Sequence, residues 1–340
     1  MWSTTMKRTV HVLPLLSLLI VGSASGGDPI SKRGTTAAPF LEFGVGPRAV
    51  GMGKAFTAIA NDATAMYWNV AGLDLLTENE VSFSYMDWIA DMDLMYAALV
   101  LKAGSAGTFG LSITSLSTPE MLVRTVEQPE GLGWRFDAAD LAVGVSYAKT
   151  LTDRFTFGGS FKYIQRRIWH MEATAIAADF GILYSLPMQG MKVGMSITNF
   201  GSKLQMQGID AVVATDVDPT MAGNNGAVLS HLRTKEWALP LSFRFGMAYD
   251  LIASAEHTVM VAADYLHPNN NEESANVGVE YVFLETLSLR AGYQSLFMKE
   301  SEEGLSMGIG LIQSGIGCDY SYGTLEHLGN VHQFAVRILF

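Results

Sequence analysis

The chain is short of charge, nearly without cysteine, and has no long apolar run. Lys, Arg, Asp and Glu make up 16% of its 340 residues, against about 25% in an ordinary soluble domain. Hydrophobic residues still reach 49%. No apolar stretch reaches about 18 residues, which excludes a transmembrane helix. A chain that enters a membrane without such a helix must satisfy its backbone polar groups in a closed barrel. The single cysteine, Cys318, excludes an internal disulfide and a cysteine metal cluster. Ile316 and Tyr320, two residues away on either side, place it on an apolar strand face. A net charge of −11 with no basic stripe argues against nucleic acid. Catalytic motifs are missing too. Gly110-Leu111-Ser112-Ile113-Thr114 and Gly194-Met195-Ser196-Ile197-Thr198 lack the closing glycine of a nucleophile elbow. Gly53-Lys54-Ala55 lacks the first glycine and the Ser/Thr of a phosphate loop. Seven scattered histidines form no His-x-x-x-His pair. The reading is of a non-enzyme with no cofactor and no metal.

What is present is alternation. In Arg154 to Arg166, Phe155, Phe157, Phe161 and Tyr163 fall on one face, with Thr156, Gly158, Ser160, Lys162 and Arg166 on the other. A strand repeats every two residues, so this is one apolar and one wet face. The pattern recurs from Glu80 to Phe340 and predicts strands near 80–88, 94–102, 107–117, 139–149, 154–167, 174–186, 191–199, 241–250, 257–266, 275–283, 287–296, 304–312, 315–322 and 331–340. Fourteen is an even number, as in single-chain bacterial outer-membrane barrels. Short connections (103–106, 150–153, 187–190, 251–256, 284–286, 313–314) interleave with mostly longer ones (89–93, 118–138, 168–173, 200–240, 267–274, 297–303, 323–330). Such barrels have short periplasmic turns and longer outer loops, so both ends of the chain are expected on the periplasmic side.

Periodicity alone does not say which face points outward. Strand number does, because fourteen apolar inner faces would enclose a large dry hole, whereas only about eight strands can be filled by side chains. The wet faces therefore line the lumen, and the fold is an all-β transmembrane antiparallel β-barrel of about 14 strands. In the strand Ala139 to Lys149, Leu141, Val143, Val145 and Tyr147 face lipid; Asp140, Ala142, Gly144, Ser146 and Ala148 face inward.

Three regions result. Residues 1–26 read as a secretory signal: Lys7 and Arg8, an apolar core from Val10 to Val21, and a small-residue exit at 22–26. Residues 27–78 are rich in Gly and Ala and suit short helical pieces, broken near Gly51, Gly53 and Asn61-Asp62, so they form a partly helical plug rather than wall. Residues 79–340 are the barrel. Its last strand alternates His332, Phe334, Val336, Ile338 and Phe340, and a terminal Phe of this kind resembles the label read by bacterial barrel-assembly machinery.

The segment from Phe40 to Leu73 contains Gly44-Val45-Gly46-Pro47-Arg48-Ala49-Val50-Gly51-Met52-Gly53-Lys54 and Trp68-Asn69-Val70-Ala71-Gly72. It resembles the N-terminal signature of the PorV/PorQ family, outer-membrane barrels related in fold to the fatty acid transporter FadL. The family pattern reads Trp-Asn-Pro-Ala-Gly, and Val70 stands at the proline. Lys54 stands where a small residue is common and calls for a carboxylate from the wall. The resemblance implies a fourteen-stranded barrel of the bacterial outer membrane with a plug in its lumen. It implies one of two functions. One is to bind or shuttle exported proteins, with secretion-machinery components, in a type IX secretion-like system. The other is FadL-like uptake of hydrophobic small molecules. Outer-membrane lipid surrounds the barrel in either case.

The candidate site residues follow. Arg48, Lys54, Trp68, Asn69 and Gly72 are plug or gate residues, or else anchors to the wall. Asp140, Lys162, Asp179, Arg244, Glu280 and Arg290 are lumen-facing charges, forming a polar path or neutralising one another across strands. The long loops hold Trp134, Phe136, Asp210, Asp216 and Asp218 as candidates for partner contact; clustered Asp also suits calcium, but without the spacing of an EF-hand. Gly158-Gly159 is a candidate wall bulge.

Overall fold

Strict alternation over ten or so residues leaves each strand with one face for lipid and one for the lumen, and only a closed ring then satisfies every backbone group. The computed structural model describes residues 32–188, 190–218, 220, 227–298 and 301–340; the signal at 1–26 and the start of the plug region lie outside them. Fourteen strands form the ring: β1 (Glu80–Trp88), β2 (Met92–Lys102), β3 (Thr108–Ser117), β4 (Ala138–Thr152), β5 (Phe155–Ile168), β6 (Met171–Ser185), β7 (Met191–Gly201), β8 (Ser242–Ala253), β9 (His257–Pro268), β10 (Ser274–Phe283), β11 (Leu287–Leu296), β12 (Glu303–Gln313), β13 (Ile316–Leu325) and β14 (Gly329–Leu339). Each pairs antiparallel with its neighbours in sequence, and β14 returns to β1 with Ile338 opposite Val81. All fourteen expected strands are present.

The faces divide as the alternation requires. Phe83, Leu111, Val145, Phe161 and Phe334 are exposed to the lipid side, as is Cys318. Asp140, Ala142, Ser146 and Ala148 are buried on the inner side. Short turns and longer loops occupy opposite ends, but two loops at the outer end are tight. Ile89–Asp91 joins β1 to β2, and only Trp169 and His170 separate β5 from β6. There the strands run two or three residues further than alternation indicated, because Met92 and Met171 still find ladder partners in Trp88 and Ile168.

Residues from Lys32 to Asn79 thread the lumen lengthwise. The segment starts at the loop end, where Ala37 N–H donates to Ala238 O (2.9 Å) and Asn270 Nδ2 to Thr36 Oγ1 (2.9 Å). It leaves at the turn end, where Asn79 exchanges backbone hydrogen bonds with Phe340. The first described residues therefore sit at the loop end, because the plug runs the full height of the wall; the start of the chain, expected on the periplasmic side, lies outside the described residues. Its helices are brief: Pro47–Gly51 and Ala65–Trp68, with 3-10 turns at Pro39–Glu42 and Val70–Leu75. Residues 52–64 are turns. Its core of Phe40, Val45, Met52, Phe56, Trp68 and Leu73 is fully buried.

Candidate functional site: the plug and the lumen wall

The small residues on the inner wall have a specific use. They let the plug backbone approach. A Cβ on Gly278 would lie 2.2 Å from Met52 O, one on Gly292 2.2 Å from Gly53 N, and one on Gly246 3.0 Å from Ala58 N. On the opposite side a Cβ on Gly158 would meet Ala71 N at 2.5 Å. Gly158 is thus a contact with the plug; β5 pairs with β4 in unbroken register at Gly158-Gly159, and no bulge occurs.

From β8 to β14 the wall grips the plug with charge. Arg48 places Nε and Nη2 on the Glu280 carboxylate, both at 2.9 Å, and Nη1 on Asn61 Oδ1 (2.7 Å) and Asp62 (3.2 Å). Such a forked Arg–carboxylate pair is strong and directional. Glu280 also accepts from Arg290 Nε (2.7 Å), Arg290 Nη1 reaches Asp319 (2.6 Å), and Asp319 accepts from Arg337 Nε (2.9 Å). Burial opposes charge on the Arg48 guanidinium, but Glu280 and Asp62 hold its pKa above the ordinary value. Burial would likewise raise the Asp62 carboxyl, yet Arg48, Arg337 and the Thr64 hydrogen bonds hold it below the usual range. Lys54 pairs with Glu303 at the start of β12. Asp264 accepts the adjacent backbone N–H groups of Phe56 and Thr57, each at 2.9 Å.

Arg244 differs from the rest. It lies over Trp68 (4.9 Å to the ring centroid) and Tyr67 (5.5 Å), with Nε and Nη1 making no hydrogen bond among the described residues. Burial pushes the Tyr67 phenol up to about 12, with Arg244 opposing. Burial also raises the nearby Glu42 carboxyl, against a hydrogen bond from Asn270 (2.9 Å) and the charge of Arg244.

From β2 to β6 the plug meets the wall without an ion pair among the described residues. Charges there pair wall to wall: Arg166 with Asp140 (3.1 Å) and Lys162 with Asp179 (2.8 Å). The plug makes hydrogen bonds instead: the Asp74 carboxylate accepts from Thr108 Oγ1 (2.6 Å) and Thr150 N–H (2.7 Å), and Lys102 Nζ donates to the Asp74 and Leu76 carbonyls. Asn69 Nδ2 donates to Ile182 O (3.0 Å) and to Thr57 O (2.8 Å), and its Oδ1 accepts from Ala71 N–H (3.2 Å). Asn69 so fixes the turn at which Val70 replaces proline. Trp68 Nε1 donates to Val45 O (2.9 Å), inside the plug. Gly72 is held so close that a Cβ would lie 1.6 Å from Ala60 O. Tyr96 donates its hydroxyl to Ala63 O (3.1 Å). A narrow cleft remains between Leu41, Met66 and Tyr67 of the plug and Ser112, Thr114, Ala142, Gly144 and Lys162 of the wall. Its volume of about 20 Å³ has room for one water.

The loop residues lie apart. Trp134 is exposed; Phe136 packs on Trp169 (5.9 Å between centroids). Asp210 meets His170 at 3.3 Å, while Asp216 and Asp218 cap local turns at Asp218 N–H (3.1 Å) and Thr220. They do not converge, and no cluster of metal-ligating side chains occurs among the described residues. Gly223 to Gly226 lie outside them. Sequence reasoning passed over Glu303 and Glu42: Glu303 lies just before the expected strand 304–312, and Glu42 sits in an irregular segment with no periodicity to orient it.

Solved structures of similar shape are outer-membrane channels. The chain is similar to the CymD monoaromatic hydrocarbon channel (TM-score 0.57, 13% identity, 87% of this chain and 98% of that one). It is similar to the Ralstonia pickettii toluene transporter TbuX (TM-score 0.56, 15% identity, 87% and 98%). It also resembles a Pseudomonas aeruginosa FadL homologue (TM-score 0.50, 11% identity, 87% and 98%). At such identities the likeness shows the fold: a FadL-like fourteen-stranded barrel of the outer membrane. No curated protein matches the chain. A family model described as an uncharacterised protein family matches residues 21–338, and the chain belongs to that family, UPF0164.

Proposed function

We propose that the chain is a gated conduit that passes hydrophobic small molecules across the outer membrane. One observation carries this reading: the plug is bound by ion pairs on the β8–β14 side but by hydrogen bonds, with no ion pair among the described residues, on the β2–β6 side, where the cleft lies. A plug anchored on one side opens on the other. The cleft wall is made of small side chains (Ser112, Thr114, Ala142 and Gly144), which leave a passage once the plug tilts. The hydrocarbon channels of similar fold support the same cargo class, and the reaction called for is passage rather than chemistry. The alternative, a PorV/PorQ-like holder of exported proteins in a type IX secretion-like system, keeps the exposed Trp134 and the long loops in its favour and ranks second.

The test is uptake of radiolabelled toluene by bacteria that carry the chain in their outer membrane. The expected result is faster uptake than in cells without it, lost on filling the cleft with Ala142→Trp. Uptake that is the same with and without the chain, or untouched by Ala142→Trp in a folded barrel, would overturn the conduit.

A further inference from the structure

The wall is not continuous. From Ala177 to Ser185, β6 pairs with β7, and at Met171 and Glu172 it pairs with Gln207 and Gly208. Between these, residues 203–206 leave β6 and bond elsewhere: Leu204 exchanges both backbone hydrogen bonds with Trp237 (2.9 Å each). Just before this departure, with Phe200 to Ser202 still bonded to β6, the register shifts at Asn199. Its φ is 64°, a left-handed conformation that asparagine tolerates better than most residues. Its N–H donates to the buried Asp179 carboxylate (2.7 Å), and its side-chain amide donates to Pro240 O (3.0 Å) while accepting from Lys162. The bulge that leads into the break is therefore fixed by buried side chains and is a built feature.

The resulting cavity, about 780 Å³, lies at the loop end of β6 and falls within the size range of small-molecule sites, about 300–1,000 Å³. Such sites are mostly apolar. This one presents Glu172, Thr174, Lys203, Gln205, Gln207 and Glu236, with Ala173 as its sole apolar side chain. Backbone groups add to the rim. Ile176 uses both its N–H and its C=O on Ser202 (3.1 and 2.9 Å), so the alternate residue Thr174 turns the same two groups to the gap, where no strand meets them. Among the described residues Glu172 and Lys203 have no side-chain partner. Glu236 is neutralised by Arg233 (3.0 Å), which leaves one carboxylate against one ammonium.

That balance selects the ligand. An apolar molecule would strand the polar rim unpaired. A phosphate finds one lysine beside two carboxylates. A metal lacks a third ligand, and a peptide strand finds one residue of free edge. What remains is a neutral group dense in hydroxyls, which carboxylates and side-chain amides meet as combined acceptors and donors. We propose that the break in the wall is a binding site for a neutral saccharide, whether the head group of an outer-surface glycolipid or a free oligosaccharide. It stands apart from the plug cleft and does not rest on the conduit reading.

The test uses the purified chain in lauryldimethylamine oxide, a detergent without sugar. Maltotriose, chitotriose and mannotriose are titrated free, and the same sugars are offered on lipid in nanodiscs. At least one is expected to bind with a Kd of about 1 mM or tighter, and dodecyl maltoside is expected to compete. Binding only on lipid assigns the glycolipid source; binding in both forms assigns the free sugar. Glu172→Ala and Gln207→Ala should each weaken binding about tenfold, with the barrel still heat-modifiable on gels. Should either fail to fold, Lys203→Ala, a change on an exposed rim, takes its place with a smaller loss. Toluene uptake should be unchanged in all three. No binding in either form, or binding that survives the double variant Glu172→Ala/Gln207→Ala, would overturn the proposal.

Discussion

The two sides of the lumen treat the same plug differently. From β8 to β14 a buried chain of charges runs from Asp62 through Arg48, Glu280, Arg290 and Asp319 to Arg337. From β2 to β6 the plug rests on Asn69, Tyr96, wall glycines and the hydrogen bonds of Asp74 and Lys102, while Lys162 with Asp179 and Arg166 with Asp140 pair within the wall. The contrast teaches that lumen charge is not one property. Where a plug cation reaches a wall carboxylate the pair acts as an anchor; where wall charges meet only each other, as Lys162 with Asp179 and Arg166 with Asp140, they keep the wall neutral.

The comparison can be broken by removing its centre. Glu280→Ala takes the shared carboxylate from Arg48 and Arg290, leaving them only Asp62 and Asp319, and should cost up to about 3–5 kcal/mol. Hydrogen exchange across residues 45–57 should then quicken by two orders of magnitude or more, with the cleft side following. The matching change on the other side, Lys162→Met, should leave plug exchange nearly unchanged. Gly72→Ala forces a methyl into Ala60 O and should destabilise the plug by about 1–3 kcal/mol, visible as a new protease-sensitive site near residues 60–72.

Acid sharpens the contrast further. Asp62 titrates below its ordinary value, so its contribution is fully present above the unfolded value of about 3.9 and fades as pH falls through the lower folded value. The part of plug protection that Asp62 supplies should therefore hold from pH 7 to 5 and decline only below about pH 4. The smallest effect concerns Val70, where the PorV/PorQ pattern that the segment resembles has proline. Val70 is the first residue of its 3-10 turn, and Asn69 before it is already extended (φ −161°, ψ 103°). Proline suits both positions. Val70→Pro should raise plug stability by about 0.4–1 kcal/mol, measured by the same exchange.

The wall was legible because its period is two and its environment changes sharply from face to face. The strand at Glu80–Trp88 was found to the residue, while 139–149 grew to Ala138–Thr152, since ladder bonding continues after the alternation stops. Asp140, Lys162, Glu280 and Arg290 were placed inside by the same count. Their partners were not legible, because cross-strand neighbours depend on register, which no local pattern prints. The plug resisted for another reason. Its order comes from close backbone contact at Gly278, Gly292 and Gly158, and in sequence those glycines look like any small lumen residue. The break at Asn199 was invisible as well, since a left-handed asparagine within a strand carries no periodic mark.

The path of the plug has a consequence of its own. One unbroken stretch of backbone, from the Ala37–Ala238 bond at the outer mouth to the Asn79–Phe340 bond at the base, touches both faces of the membrane. The loop end and the seam where the first and last strands meet are thus joined by a single covalent line inside the cylinder, as well as by the strands around it.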